Sequence, residues 1–238
     1  MRALRFAFGI GLATAALTTA ALAHPPSRGV CNADVVRRLA AGPLIETRST
    51  LPSDTFVVLY SGDGGWAQAD CSFSRLFAQR GEPVLGVNSV RYFARKRSPQ
   101  AAADDLSRWI ETYSARWGRP KVILMGYSFG ASALPIIAGR LPPQTRSRIT
   151  ELVLAGPGSR AEFVLRPRTW FNRQAPNAAP VEPALAQLRD LPVICVYGLG
   201  DAAAACPRFP AGEVVLRPVP GKHRFKGEYG AVVDAAAS

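Results

Sequence analysis

Short apolar runs alternate along this chain with stretches in which apolar residues recur every three or four positions. The runs at residues 55–60 (Thr-Phe-Val-Val-Leu-Tyr), 83–87, 121–125, 149–155, 192–197 and 213–219 are rich in β-branched and apolar residues and read as strands, with one more at 44–48 and a turn at 51–54. Between them lie helical patterns at 72–80, ending at Gly81, and at 131–141, with a final helix at 226–237. A long helix is opened by Ser98 as N-cap with Pro99 in its first position and runs to Trp117, where Gly118 stops it. Residues 24–29 read as a Pro-bearing linker, 32–40 as a short helix capped by Asn32, and 88–97 as a basic, aromatic loop. Strand and helix alternate through most of the chain, which predicts an α/β fold: a mainly parallel, doubly wound sheet with helices on both faces. Residues 158–190 break that rhythm with many Pro and Arg residues plus Phe163, Trp170 and Phe171, and are expected to form a short lid-like insertion.

One strand-to-helix junction carries candidate chemistry. The apolar run 122–125 stops at Gly126, and Gly126-Tyr-Ser-Phe-Gly130 leads into Ala-Ser-Ala-Leu-Pro-Ile-Ile-Ala. A Gly-x-Ser-x-Gly pattern between a strand and a helix is the nucleophile elbow of the α/β-hydrolase fold: the glycines admit close backbone, and the serine Oγ is pushed out of the sheet. The pattern alone is weak, with roughly 0.1 chance matches in a chain of this composition, and its context is what gives it weight. The remaining partners follow in the order that this fold uses. Asp201 and His223 each fall in a loop after a late strand, and of the two histidines the other, His24, lies near the N-terminus. Ser128 is therefore expected to be the nucleophile, His223 the base, and Asp201 the group that orients the imidazole. The loop Ser61-Gly-Asp-Gly-Gly-Trp66 follows the early strand at 55–60, where this fold builds half of its oxyanion hole. Backbone N–H groups of Phe129 and of Gly62, Asp63 and Gly64 are the expected donors. Asp63, Trp66, Tyr92 and Tyr127 are candidate substrate contacts, Asp63 for an amine.

The N-terminus and the charge narrow the setting. Arg2 and Arg5, an apolar stretch from Phe6 and a small-residue Ala21-Leu-Ala23 site read as a secretory signal over residues 1–23, leaving a single domain over 24–238 and a periplasmic address. In an oxidising compartment the four cysteines allow two disulfides; the expected pairs are Cys195–Cys206, flanking the Asp201 loop, and Cys31–Cys71. With no C-x-x-C pair and two histidines, neither a metal nor a cofactor is expected. The formal net charge of +12 falls to +10 without Arg2 and Arg5, which favours an acidic surface or ligand. For an exported chain an anionic membrane fits that charge better than nucleic acid.

Five segments together resemble the bacterial virulence protein VirJ family and the matching C-terminal part of AcvB. They are Ser61-Gly-Asp-Gly-Gly-Trp66, Asn88-Ser-Val-Arg-Tyr-Phe93, Gly126-Tyr-Ser-Phe-Gly-Ala131 with Leu134-Pro135, Cys206-Pro207, and Gly221-Lys-His-Arg-Phe225. The resemblance implies an α/β-hydrolase fold and a periplasmic serine hydrolase that cleaves the aminoacyl ester of aminoacyl-phosphatidylglycerol, chiefly the lysyl form. It also implies a link to virulence and, for VirJ, to type IV secretion components. This chain departs from that pattern at Ser132, where an acid is common in the family, and at Lys222 and Arg224. It departs again in the loop before Cys206, where Asp201 is followed by four alanines. Lys222 and Arg224 add positive charge beside the base, which would repel a lysyl headgroup.

Overall fold

A computed structural model describes residues 43–164 and 178–236. The segment expected to be a secretory signal, Cys31, the helix expected at 32–40, and Trp170 and Phe171 lie outside the described residues. Seven strands form one sheet in the order β1 (Leu44–Thr47), β3 (Val84–Val87), β2 (Thr55–Tyr60), β4 (Lys121–Tyr127), β5 (Ile149–Ala155), β8 (Val193–Gly198) and β9 (Val215–Val219). All neighbours pair in parallel except β1, which runs antiparallel to β3 at the edge.

Alternation along each central strand sends side chains to two separate cores. Phe56, Val58 and Tyr60 of β2 and Val122 and Leu124 of β4 face one core. Val57 and Leu59, with Ile123 and Met125, face the other. The first core is closed by α2 (Pro99–Trp117), through Leu106 and Ile110, and by α3 (Phe129–Ala138), through Leu134 and Ile137. The second is closed by α1 (Gln68–Gln79), through Phe73 and Phe77, and by α4 (Tyr229–Ala236), through Val232 and Val233. Strands buried on both faces need continuous apolar runs, which is why they stood out in the sequence. This is the α/β-hydrolase fold that the pattern predicted, a mostly parallel sheet with helices on both faces.

Local chemistry sets the helix ends. Ser98 Oγ accepts the Ala101 N–H at 3.0 Å, Pro99 opens α2, and Gly118 closes it at φ 64°. Several boundaries differ from expectation, two of them for a local reason. Helix α1 starts at Gln68 rather than Ser72, because the Asp70 carboxylate accepts the Ala67 N–H at 2.9 Å and caps a turn that the apolar pattern does not mark. The expected loop at 88–97 contains a helical turn, Ser89–Tyr92, because Asn88 Oδ1 accepts the Arg91 N–H at 3.3 Å. Within the expected insertion, β6 (Arg160–Ala161) and β7 (Ala179–Pro180) pair antiparallel into a small ribbon, and residues 165–177 between them lie outside the described residues.

Candidate active site at the carboxyl edge of the sheet

Parallel strands deliver the loops after β2, β4, β5, β8 and β9 to one edge, where open α/β sheets hold their ligands. The turn after β4 is tight at both glycines. A Cβ at Gly126 would lie 2.4 Å from the Ala131 nitrogen, and one at Gly130 would lie 2.3 Å from the Tyr60 carbonyl oxygen. Backbone cannot retreat as a side chain can, so both positions require glycine. Ser128 between them sits at φ 52° and ψ −109°, a conformation costing on the order of 1–3 kcal/mol that the surrounding turn must hold. Its N–H is bonded to the Ala155 carbonyl at 2.9 Å, which fastens the turn to β5.

Ser128 Oγ lies 2.9 Å from His223 Nε2, although 95 residues separate them. His223 Nδ1 in turn lies 3.3 Å from Asp201 Oδ2. A carboxylate beside Nδ1 favours the tautomer protonated there, which leaves Nε2 to accept the serine proton. The Asp201 side chain is 13% exposed and His223 46%, so the acid is sheltered while the imidazole opens to the outside. The other Asp201 oxygen accepts the Ala203 N–H at 3.0 Å, holding the carboxylate in its loop. The bond between Cys195 of β8 and Cys206 closes that loop at its base, with their Cα atoms 5.7 Å apart.

Supporting positions surround this set. Gly156, at φ 63°, lies against the imidazole, and Tyr127 stacks near it at 6.3 Å and 28°. Phe225, fully buried at φ 47°, sits beneath Tyr127. Ser132 Oγ donates to the Ser128 carbonyl at 3.2 Å and accepts the Gly158 N–H at 2.8 Å, linking the elbow to the loop after β5. Gly62 brings the early loop against the nucleophile: a Cβ there would be 3.5 Å from Ser128 Cβ. Phe129, at the first position of α3, has an N–H without an intrahelical partner, as any first-turn residue does.

Behind the early loop, Asp70 is 1% exposed, and its Oδ1 has no hydrogen-bond partner among the described residues. Burial pushes its carboxyl up to about 7; the Ala67 N–H bond and the nearby Gly62 amide pull partly the other way. Burial, and next the charge of Asp70, push the Tyr127 phenol up to about 12. Asp63 is partly exposed and joins no ion pair among the described residues.

Two expectations are corrected, and a third lies partly outside the described residues. Trp66 is 4% exposed and lies over Gly86, where a Cβ would fall 2.2 Å from its ring, so it fills the core rather than a substrate site. Tyr92 is 3% exposed, donates its hydroxyl to Asp105 at 2.5 Å and packs edge-on against Trp109 and Phe93; it too is structural. Cys71 is buried, faces the core with Phe73 and has no disulfide partner among the described residues; Cys31, its expected partner, lies outside them. Sequence reading also missed Asp70, Gly156, Ser132 and Phe225. The one available signal was Asp70, an acid three residues beyond the N-cap of a helix.

The insertion contributes a wall. Phe163, at the start of the part outside the described residues, packs on Phe93 at 6.0 Å, and Phe93 packs on Phe129 at 5.3 Å. This apolar row leads from the insertion to the residue after the nucleophile. An open cleft lined by Asp190, Leu191, Val193 and Val215 is reached from the opposite edge and touches none of these groups.

Known proteins place this geometry. Carboxylesterase Culp1 of Mycobacterium tuberculosis is 27% identical over 168 residues, 69% of this chain and 70% of that protein. Among solved structures, the esterase domain of a Rhodothermus marinus protein matches with a TM-score of 0.55 at 15% identity, covering 82% of this chain and 89% of that one. The thioesterase domain from the curacin biosynthetic pathway matches with a TM-score of 0.57 at 15% identity, covering 82% and 94%. The poly(3-hydroxybutyrate) depolymerase LpqC of Bordetella parapertussis matches with a TM-score of 0.55 at 16% identity, covering 82% of each. At such identities these structures speak to the fold. The family description "Bacterial virulence protein (VirJ)" matches residues 54–237, which spans every element from β2 to α4, and the chain belongs to that family.

Proposed function

We propose that this VirJ-family chain is a serine ester hydrolase of the periplasm whose substrate is the aminoacyl ester of an aminoacyl-phosphatidylglycerol. The observation that carries the hydrolase reading is the continuous contact from Ser128 Oγ through His223 to Asp201, at 2.9 and 3.3 Å. The carboxylesterase relative and the esterase-like fold neighbours support it.

Ser128 Oγ attacks the ester carbonyl while His223 Nε2 takes its proton, and Asp201 stabilises the imidazolium. The oxyanion is held by the Phe129 N–H and by one N–H of the loop from Gly62 to Gly65, each contributing about 3 kcal/mol to the transition state. His223 returns the proton to the departing glycerol oxygen, which releases phosphatidylglycerol and leaves aminoacyl-Ser128. Water, deprotonated by the same imidazole, then releases the amino acid.

The aminoacyl reading rests on family membership and on the basic chain, which suits an anionic lipid. Asp63, partly exposed in the loop after β2, is the acid we assign to the substrate amine. Lys222 and Arg224 flank the base and disfavour a second positive charge, which favours alanyl over lysyl esters. Amino acid released from vesicles containing alanyl- or lysyl-phosphatidylglycerol tests this directly. Release that disappears in Ser128→Ala supports the reading; turnover of a simple acyl ester or thioester with no amino acid release points to a different secreted esterase. A protein with no fluorophosphonate label on Ser128 would instead be a secretion-system adaptor on a hydrolase fold.

A further inference from the structure

Some of the positive charge is neutralised where it sits: Arg80 pairs with Asp234, Arg116 with Glu46, Lys121 with Asp54 and Arg146 with Asp190. The loop after β9 gathers three cations within residues 222–226. Lys222, Arg224 and Lys226 are all exposed and join no ion pair among the described residues. Glu228 is near, since a Cβ at Gly221 would lie 3.6 Å from its Cγ, but it pairs with none of the three. Asp201 is already committed to His223.

A second feature lies against this loop. Leu199, at the tip of the loop after β8, is 69% exposed, more than any other large hydrophobic side chain among the described residues. It is fixed there: its N–H bonds the Val219 carbonyl at 2.9 Å, and the Gly200 N–H bonds the Gly221 carbonyl at 2.8 Å. A Cβ at Gly200 would lie 3.3 Å from Lys222 Cγ, so the leucine stands beside the basic loop. Solvated basic surface explains the cations but not an apolar tip held out among them by backbone hydrogen bonds. Both loops leave the sheet at the edge where Ser128 opens.

We propose that Leu199, with Lys222, Arg224 and Lys226, is a docking surface for an anionic lipid bilayer, which seats the Ser128 edge on the membrane. The cations are drawn to acidic headgroups, at about fivefold in binding for each one near the surface. The leucine enters the boundary between headgroups and acyl chains, as the apolar residues of interfacial proteins do. An acidic protein or a nucleic acid would use the charge but gain nothing from the leucine. The surface depends on the placement of Ser128 described above and not on which ester the site hydrolyses.

The test is co-sedimentation of the full chain with vesicles of phosphatidylglycerol and phosphatidylcholine, against phosphatidylcholine alone, read without turnover. Binding is expected with the anionic vesicles and not the neutral ones. The triple variant Lys222→Gln, Arg224→Gln, Lys226→Gln should weaken it on the order of a hundredfold, and Leu199→Gln about tenfold. Both variants should keep the thermal midpoint of the parent, and Leu199→Gln should keep its rate on a soluble short-chain ester. Equal binding to both vesicle types, unchanged binding by the variants, or binding of millimolar inorganic phosphate with no binding to either vesicle type would each overturn the proposal. Because docking and hydrolysis are read separately, loss of one does not mimic loss of the other.

Discussion

Gly156 lies against the His223 ring: a Cβ at position 156 would fall 3.2 Å from Nδ1, the nitrogen facing Asp201. Position 156 also sits at φ 63°, where an L side chain is strained. Gly156→Ala should therefore tilt the imidazole away from Ser128. A displacement well under 1 Å suffices to lower kcat 10- to 100-fold by order of magnitude, with KM little changed and about 1 kcal/mol of stability lost. Steady-state kinetics on a soluble ester together with a thermal melt read both. An unchanged kcat would show that the contact does not set the imidazole.

Ser128, His223 and Asp201 act in series, so their losses should not add. Ser128→Ala and His223→Ala should each reduce kcat about 10⁶-fold, and Asp201→Asn about 10⁴-fold, while the double variant Ser128→Ala, His223→Ala should be no worse than either single one. Circular dichroism should show the fold intact in each. Losses that multiply in the double variant would mean that serine and histidine work independently.

Asp70 makes a pH-dependent prediction. Its carboxyl holds a proton in the folded chain up to about 7, whereas in the unfolded chain it ionises near 3.9, the usual value. Between those values the folded state binds the extra proton, so Asp70 makes stability fall as pH rises from about 4 to about 7 and stay low above that. Asn at this position keeps an acceptor for the Ala67 N–H and has no charge to bury. Asp70→Asn should raise stability at pH 8 by up to about 4 kcal/mol and leave it unchanged near pH 4. Glu151, also raised to about 7 by burial, keeps part of the slope in the variant. Urea titrations at pH 4, 6 and 8 measure the difference; equal gains at all three values would contradict a buried carboxylate.

The Cys195–Cys206 bond closes a short loop of sequence separation 11 that carries Asp201. Chain entropy for a loop of that size makes the bond stabilising by about 3 kcal/mol. Replacing both cysteines by alanine should lower the denaturant midpoint accordingly and reduce kcat more than the melt alone explains, because Asp201 loses its closed loop. Equal activity in the double variant below its melting transition would separate the bond from the site.

Much of this was written in the linear chain. Residues 55–60 and 121–125 read as buried strands because both of their faces are covered, and Ser98, Pro99 and Gly118 marked the ends of α2 by local chemistry. Ser128, Asp201 and His223 were legible because the elbow pattern is local and because a chain with two histidines offers few bases. The errors share one cause. Trp66 and Tyr92 sit in functional-looking motifs, yet whether an aromatic side chain faces a substrate or Gly86 and Trp109 depends on neighbours remote in sequence. That Cys71 turns into the core beside Phe73 follows from the inward face of α1, and no cysteine spacing encodes that.

Local patterns therefore specified the elements and the elbow, since each depends on residues a few positions apart, and chain order pointed to Asp201 and His223 as candidate partners of Ser128. Which edge those groups share, how Gly156 and Phe225 hold the imidazole, and that Leu199 stands exposed beside three unpaired cations were decided by the packing of β5, β8 and β9. These are contacts between residues tens of positions apart. Their energies depend on distance and burial in three dimensions, and neither quantity exists until the sheet has formed.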